Sequence, residues 1–213
     1  CYALIGYQTA YLKAHYPAEF MAALLTSDQN DIDRIAIEVS ECQEIGIEVL
    51  PPNINESFEE FAVVKDESEN ELIRFGLNAI KNVGTTVARE IVTERKKGGK
   101  YKSIADLLER VTTKDLNKKS LEALIKVGAM KELGERNQLL ASLENILNYS
   151  KSIQKNKNSN QVSLFGEEAL APGTVHLVKS DPATKKQRLG WEKELLGLYV
   201  SDHPAGEYQE YFD

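Results

Sequence analysis

Two carboxylates stand one residue apart in Asp31-Ile32-Asp33, and paired carboxylates are the groups that hold Mg²⁺ for phosphoryl transfer. Their setting points elsewhere. They open an amphipathic stretch, DIDRIAIEVSECQEI, where Asp31 suits a helix cap and acidic charge complements the helix dipole. No third carboxylate in a strand context accompanies them. Cys1, Cys42, His15, His176 and His203 show no metal-ligand spacing, so a zinc centre is not expected.

A second group suits anion binding. IKNVGTTVAREIV has the layout of two helices joined by a tight turn. Gly84 is expected at positive φ, where the absence of a Cβ permits close approach of a ligand. Thr85 and Thr86 open the following helix, whose first N–H groups and dipole make a seat for a phosphate. Lys81 and Arg89 flank that seat and add attraction without reading bases. The candidate phosphate-binding residues are therefore Lys81, Asn82, Val83, Gly84, Thr85, Thr86 and Arg89. A packing-only helical turn is the plainer alternative. Against it stand the basic residues Arg95, Lys96, Lys97, Lys100 and Lys102, and a second helix-turn-helix unit at 117–149. Paired units of this kind grip the backbone of duplex DNA independently of its sequence.

The third group is QVSLF, at the end of the polar run SKSIQKNKNSN. Leu164 and Phe165 have no apolar neighbours in sequence, so they suit anchoring in a pocket of another protein, with Gln161 at the pocket's edge. The alternative is a small staple folded back on the helical region.

The elements that must position these groups are mostly helical. Apolar spacing predicts helices over 2–15, from Pro17, and from Asp31 to a stop at Gly46. IEVL reads as a short strand, and FAVV and LIRF as a hairpin around KDESENE. Helices are then expected at LNAIKN, after Gly84, from Ser103, in NKKSLEALIKVG, in ERNQLLASLENILNYS as one piece, and in ATKKQRLGWEKELLGLY. Residues 151–174 read as a flexible tether. The fold class is mainly α with one β-hairpin.

The 213 residues are 42% hydrophobic and 28% charged, an ordinary globular composition with no apolar run long enough to span a membrane. A soluble, cytoplasmic protein is expected. The net charge of −7 hides an asymmetry. Residues 1–65 carry three basic against eleven acidic residues, whereas 81–102 carry seven basic against two. CYALIGYQTAYLKAHYP reads as mid-helix, so an internal piece of a longer protein is expected.

AYLKAHYPAEFMAALLT, VLPPNIN, RFGLNAIKNVG, LEALIKVGAMKELG and LLGLYVSDHP, in this order, resemble the bacterial replicative polymerases of the C family, the DNA polymerase III alpha subunits. The resemblance covers nearly the whole chain. It implies that 1–65 is the C-terminal part of the fingers and 66–150 a hairpin plus tandem helix-hairpin-helix DNA-binding domain. It further implies that 151–174 is a tether whose Gln161, Leu164 and Phe165 bind the sliding clamp, and that 175–213 is a helical segment leading toward an absent OB-fold. The implied partners are duplex DNA, the clamp and other replicative polymerase subunits. The catalytic carboxylates and their Mg²⁺ would lie in a palm upstream, so this segment alone is expected to hold no cofactor and to be inactive. Asn82 departs from the family pattern, which often has glycine there, but Asn tolerates left-handed φ. Tyr7 and Lys13 are conceivable template contacts by helix face, with packing and solvation as the alternatives. A free-standing, non-catalytic DNA-binding module and an interaction scaffold remain open as other readings.

Overall fold

The computed structural model describes residues 2–158 and 174–201. Three helices lead the chain: α1 (Tyr2–His15), α2 (Pro17–Ser27) and α3 (Ile32–Glu44). Proline occupies the first position of α2, where its missing N–H has no helical partner to lose. The Asp31 carboxylate caps α3 by accepting from the Arg34 amide at 3.2 Å, and Gly46 at φ +81° ends the turn beyond it. The DID carboxylates therefore mark a helix start.

A three-stranded sheet comes next, in the order β1 (Val49–Leu50), β3 (Glu71–Arg74), β2 (Ala62–Lys65). The predicted hairpin is present, with β2 antiparallel to β3 and Val63 opposite Ile73. The parallel pairing of β1 with β3 was not anticipated, because it joins strands with a loop and β2 between them in sequence. The boundary expected between 65 and 66 falls inside this hairpin, so the sheet ties the leading helices to the helical region beyond it.

The remaining helices are α4 (Thr85–Gly98), α5 (Ile104–Arg110), α6 (Lys118–Lys126), α7 (Arg136–Ala141), α8 (Leu143–Asn158) and α9 (Lys185–Leu196). Three sequence expectations need correction. The helix expected at LNAIKN is only a 3₁₀ turn, Leu77–Ala79. The Leu77 and Asn78 amides donate to the Phe58 and Glu59 carbonyls, and a Cβ on Gly76 would collide with the Glu60 backbone. The chain is thus held against 58–61 rather than coiled. The single helix expected from Glu135 to Ser150 breaks at Ser142, whose hydroxyl donates to the Gln138 carbonyl at 2.7 Å and accepts from the Val178 amide at 2.7 Å. Residues 151–158, expected as tether, are helical instead, because α8 runs on to Asn158, and 159–173 lie outside the described residues.

The segment Pro51–Ser57 sits where these parts meet. The Asn53 and Asn55 side-chain amides donate to Glu132 at 2.8 and 2.7 Å. The Asn55 side chain also pairs with the Tyr101 backbone in both directions, at 2.7 and 3.1 Å. The Ile54 amide donates to the Ala129 carbonyl, and its own carbonyl accepts from Arg95 at 2.6 Å. One apolar cluster extends around this loop, from Ala18 in α2 through Phe75, Ile91 and Leu124 to Leu198. By contrast α1 buries none of its residues, and Tyr2, Leu4, Ile5, Tyr7, Tyr11 and Leu12 are exposed.

Glu38 is buried on α3, and its Oε2 has no hydrogen-bond partner among the described residues. Burial, then the neighbouring Asp28 carboxylate, pushes its carboxyl up to about 7. The folded chain therefore keeps this proton to a higher pH than the unfolded chain does, and stability falls as pH rises from the ordinary glutamate range to about 7. Glu38→Gln should remove that slope. In urea unfolding, the variant should gain on the wild type between pH 5 and pH 7.5; a difference constant across that range would contradict the assignment.

Candidate nucleic-acid interface

The turn before α4 is fixed by three contacts. The Lys81 amide donates to the Leu195 carbonyl at 3.0 Å, the Val83 amide to Ile80 at 3.0 Å, and the Ala88 amide to Gly84 at 3.1 Å. Val83 is buried beside Val87 and Ala88, while Lys81, Asn82, Gly84, Thr85, Thr86 and Arg89 face solvent. The left-handed residue is Asn82, at φ +70°, and not Gly84, which is extended at φ −78° and ψ 156°. The expectation for Gly84 is corrected accordingly. Asn accepts the left-handed region at small cost, which leaves the glycine free for another role.

Gly84 is the N-cap of α4, and no described side chain caps that helix. A Cβ there would meet nothing within 4 Å, so no described part of the chain packs against Gly84 on that side. These amides lack intrahelical acceptors by geometry and carry the positive end of a 14-residue helix. Lys81 is exposed at the rim, and Arg89 makes only a loose, exposed contact with Glu59 at 3.4 Å.

The structure adds residues that the sequence did not reveal. A cleft of about 190 Å³ beside the turn is lined by Asn82, Lys119, Lys126, Glu122, Glu194 and Leu195. Lys126 pairs with Glu122 at 2.7 Å, while Lys119 is exposed in the first turn of α6. The only linear signal was the pair Lys118-Lys119 opening that helix; its approach to the turn is a tertiary fact.

The downstream basic residues divide. Arg95, Lys96 and Lys97 lie in the last turns of α4, about 16–20 Å from Gly84 by helical rise, and Lys100 and Lys102 follow just beyond it. Arg95 is half-buried, with its guanidinium on the Ile54 carbonyl and 5.8 Å from the Phe58 ring. Lys97 pairs with Glu94 at 2.7 Å. Arg110 donates to the Glu94 and Gly99 carbonyls and so closes the negative end of α4, over a glycine, Gly98, that leaves it room. Arg95 belongs to the interior, and Lys96, Lys100 and Lys102 remain at the surface.

The second hairpin unit differs in kind. Glu135 caps α7, accepting from the Gln138 amide at 3.1 Å and from the Ala183 amide at 2.8 Å. Arg136 is turned onto Glu192 at 3.1 Å. The helix start that has no side-chain cap at Gly84 is here closed by the chain's own carboxylate.

The other candidate groups are dispersed. Among the described residues no set of three or more His, Cys, Asp or Glu could hold a metal ion. Cys42 is buried, and desolvation pushes its thiol up to about 11. The His15 ring lies 4.2 Å from that of Tyr11, and His176 offers its carbonyl to Asn145. Tyr7 lies 6.2 Å from Tyr11, and Lys13 pairs with Glu41. Cys1, His203 and the expected docking residues Gln161, Leu164 and Phe165 lie outside the described residues. No described helix is long and apolar enough to cross a membrane.

Residues 46–139 match the model of the helix-hairpin-helix motif family. The chain is 45% identical over 207 residues to the DNA polymerase III subunit alpha of Thermus aquaticus, covering 97% of this chain and 16% of that protein. It is 41% identical to the same subunit of Campylobacter jejuni, over 98% of this chain and 18% of that protein. The subunit of Deinococcus radiodurans is 42% identical over 98% of this chain and 15% of its own length. The chain thus spans less than one fifth of each of these relatives.

If Asn82 carries the backbone strain, Asn82→Val should cost about 1–2 kcal/mol, because a β-branched residue is poorly accommodated at positive φ. Asn82→Gly should be nearly neutral. Urea unfolding of the two variants checks this, and equal stability would remove the strained turn from consideration.

Proposed function

Because the chain belongs to the family of DNA polymerase III alpha subunits along nearly its whole length, we propose that it supplies duplex-DNA grip and sliding-clamp tethering to a replicative DNA-directed DNA polymerase. The observation that carries the reading is the uncapped, glycine-fronted N-terminus of α4, presented on a turn whose apolar residue, Val83, is buried. In this reading the first α4 amides and the Thr85 and Thr86 hydroxyls hold a backbone phosphate. Asn82 shapes the turn, and Lys81 and Arg89 supply the charge. Such contacts position a duplex without specifying bases.

The grip and the chemistry are separate in this reading. Asp31 is committed to the α3 cap and Asp28 is paired with Arg34 at 2.7 Å, so the acidic residues around DID do not fit a two-metal centre. The parent enzyme's Mg²⁺ and catalytic carboxylates belong to other parts of a much longer chain. Residues 1–65 supply the end of the fingers. The exposed apolar residues of α1, apolar on several sides, suit cover by that longer chain and by other polymerase subunits.

Gln161, Leu164 and Phe165 supply the clamp contact. Each apolar anchor contributes roughly 1.5–3 kcal/mol when buried, before ordering costs. A weak peptide contact of this size becomes firm when bound DNA provides a second attachment.

The test is a titration of the full chain with duplex DNA at several salt concentrations, alone and with the cognate clamp. Affinity should fall steeply with salt, and Lys81→Ala or Arg89→Ala should each reduce the salt slope by about one. Leu164→Ala with Phe165→Ala should abolish clamp binding and leave duplex affinity unchanged. Duplex binding insensitive to salt, or absent, would reduce the hairpin to a packing element.

A further inference from the structure

The turn that carries the proposed phosphate seat is not held by its own hairpin alone. Its leading amide, Lys81 N–H, donates to the carbonyl of Leu195 near the end of α9, a helix more than one hundred residues further along the chain. Leu195 and Glu194 also line the cleft beside Asn82. The turn is therefore tied directly to α9.

Two contacts fix α9. The first is Glu192, which is 1% exposed and satisfied on both oxygens. Its Oε1 accepts from both terminal nitrogens of Arg136 at 3.1 and 3.2 Å. Its Oε2 accepts from the Val200 and Ser201 amides at 3.1 and 3.0 Å and from the Ser201 hydroxyl at 3.0 Å. A buried ion pair contributes little net stability, but it discriminates strongly against other registers, because a shifted helix would leave both charges unpaired. The second contact is Gly197, at φ +81°, where a Cβ would collide with the Ile32 side chain at the start of α3. Between these two pins lies Leu195, with the carbonyl that holds Lys81.

Resting on the duplex-binding reading, we infer that α9 is part of the DNA grip, and that Glu192 is a positioning residue for the phosphate-binding turn although it touches no DNA. The second hairpin, whose own helix start is closed by Glu135, is the base on which that positioning helix is mounted. The tandem unit divides its labour: one hairpin faces the phosphate, and the other holds the helix that aims it.

The experiment uses the full chain as Glu192→Gln and, independently, Gly197→Ala, with Leu25→Ala as a control that destabilises the core away from the turn. Two quantities are measured well below each melting temperature: the hydrogen-exchange rate of the Lys81 amide, and affinity for a duplex oligonucleotide across a salt series. Both α9 variants should speed Lys81 exchange and weaken duplex binding about three- to tenfold. Their salt slope should stay at the wild-type value, because no phosphate-contacting cation is removed. Leu25→Ala should change neither quantity. Unchanged Lys81 exchange and affinity in both α9 variants, or equal losses in the control, would overturn the inference. If the wild type fails to bind duplex DNA, the functional reading fails, while the Lys81 exchange rates still decide whether α9 positions the turn.

Discussion

The pairing of Asn53 and Asn55 with Glu132 is the constraint on which the arrangement depends. A buried side-chain amide is costly unless its N–H groups are met, and here those of Asn53 and Asn55 donate to the surface carboxylate of Glu132 at 2.8 and 2.7 Å. The same bonds hold the Glu132 carboxyl below its ordinary range. Asn55 also pairs with the Tyr101 backbone, and Ile54 between the two asparagines is fully buried, with Ala129 and Arg95 on its backbone groups. Three regions far apart in sequence therefore converge on a loop of a few residues. These bonds tie the sheet, the α4–α5 connection and the second hairpin to one another at fixed positions.

Given those ties, the two hairpins diverge through a single kind of residue. Both place a short turn before a helix. Glycine at the first cap leaves the helix start with no side-chain cap, and glutamate at the second closes the equivalent position from within. Anion affinity at a helix start depends on whether the protein has already supplied the anion. Secondary structure alone does not distinguish the two cases. The same distinction explains the basic residues at the far end of α4, where Arg110 and Arg95 answer carbonyl groups of the protein itself.

Much of this was legible in the sequence, and the parts that were not share a cause. Helix starts at Pro17, Asp31, Ser103 and Asn117, and the β2–β3 hairpin, arise from local chemistry, so residue type and spacing were enough. The turn's location was legible too, but its backbone was not. Gly84 attracted the positive φ that Asn82 holds, because either residue can adopt it and only the surrounding contacts decide. The Glu192–Arg136 pair, the approach of Lys119 to the turn and the Asn55–Glu132 bond span dozens of residues, and no periodicity announces them. LNAIKN failed as a helix for the same reason, since tertiary contacts with 58–61 outweighed its local preference.

The most direct measurement is a double-mutant cycle between Asn55 and Glu132, using Asn55→Ala, Glu132→Ala and the pair, followed by urea unfolding with separate probes of the sheet and the helical hairpins. A coupling energy of about 1–3 kcal/mol is predicted, as is loss of both regions in one transition. Additive single-variant effects, or a sheet that melts apart from the hairpins in the wild type, would contradict the central place given to this clasp.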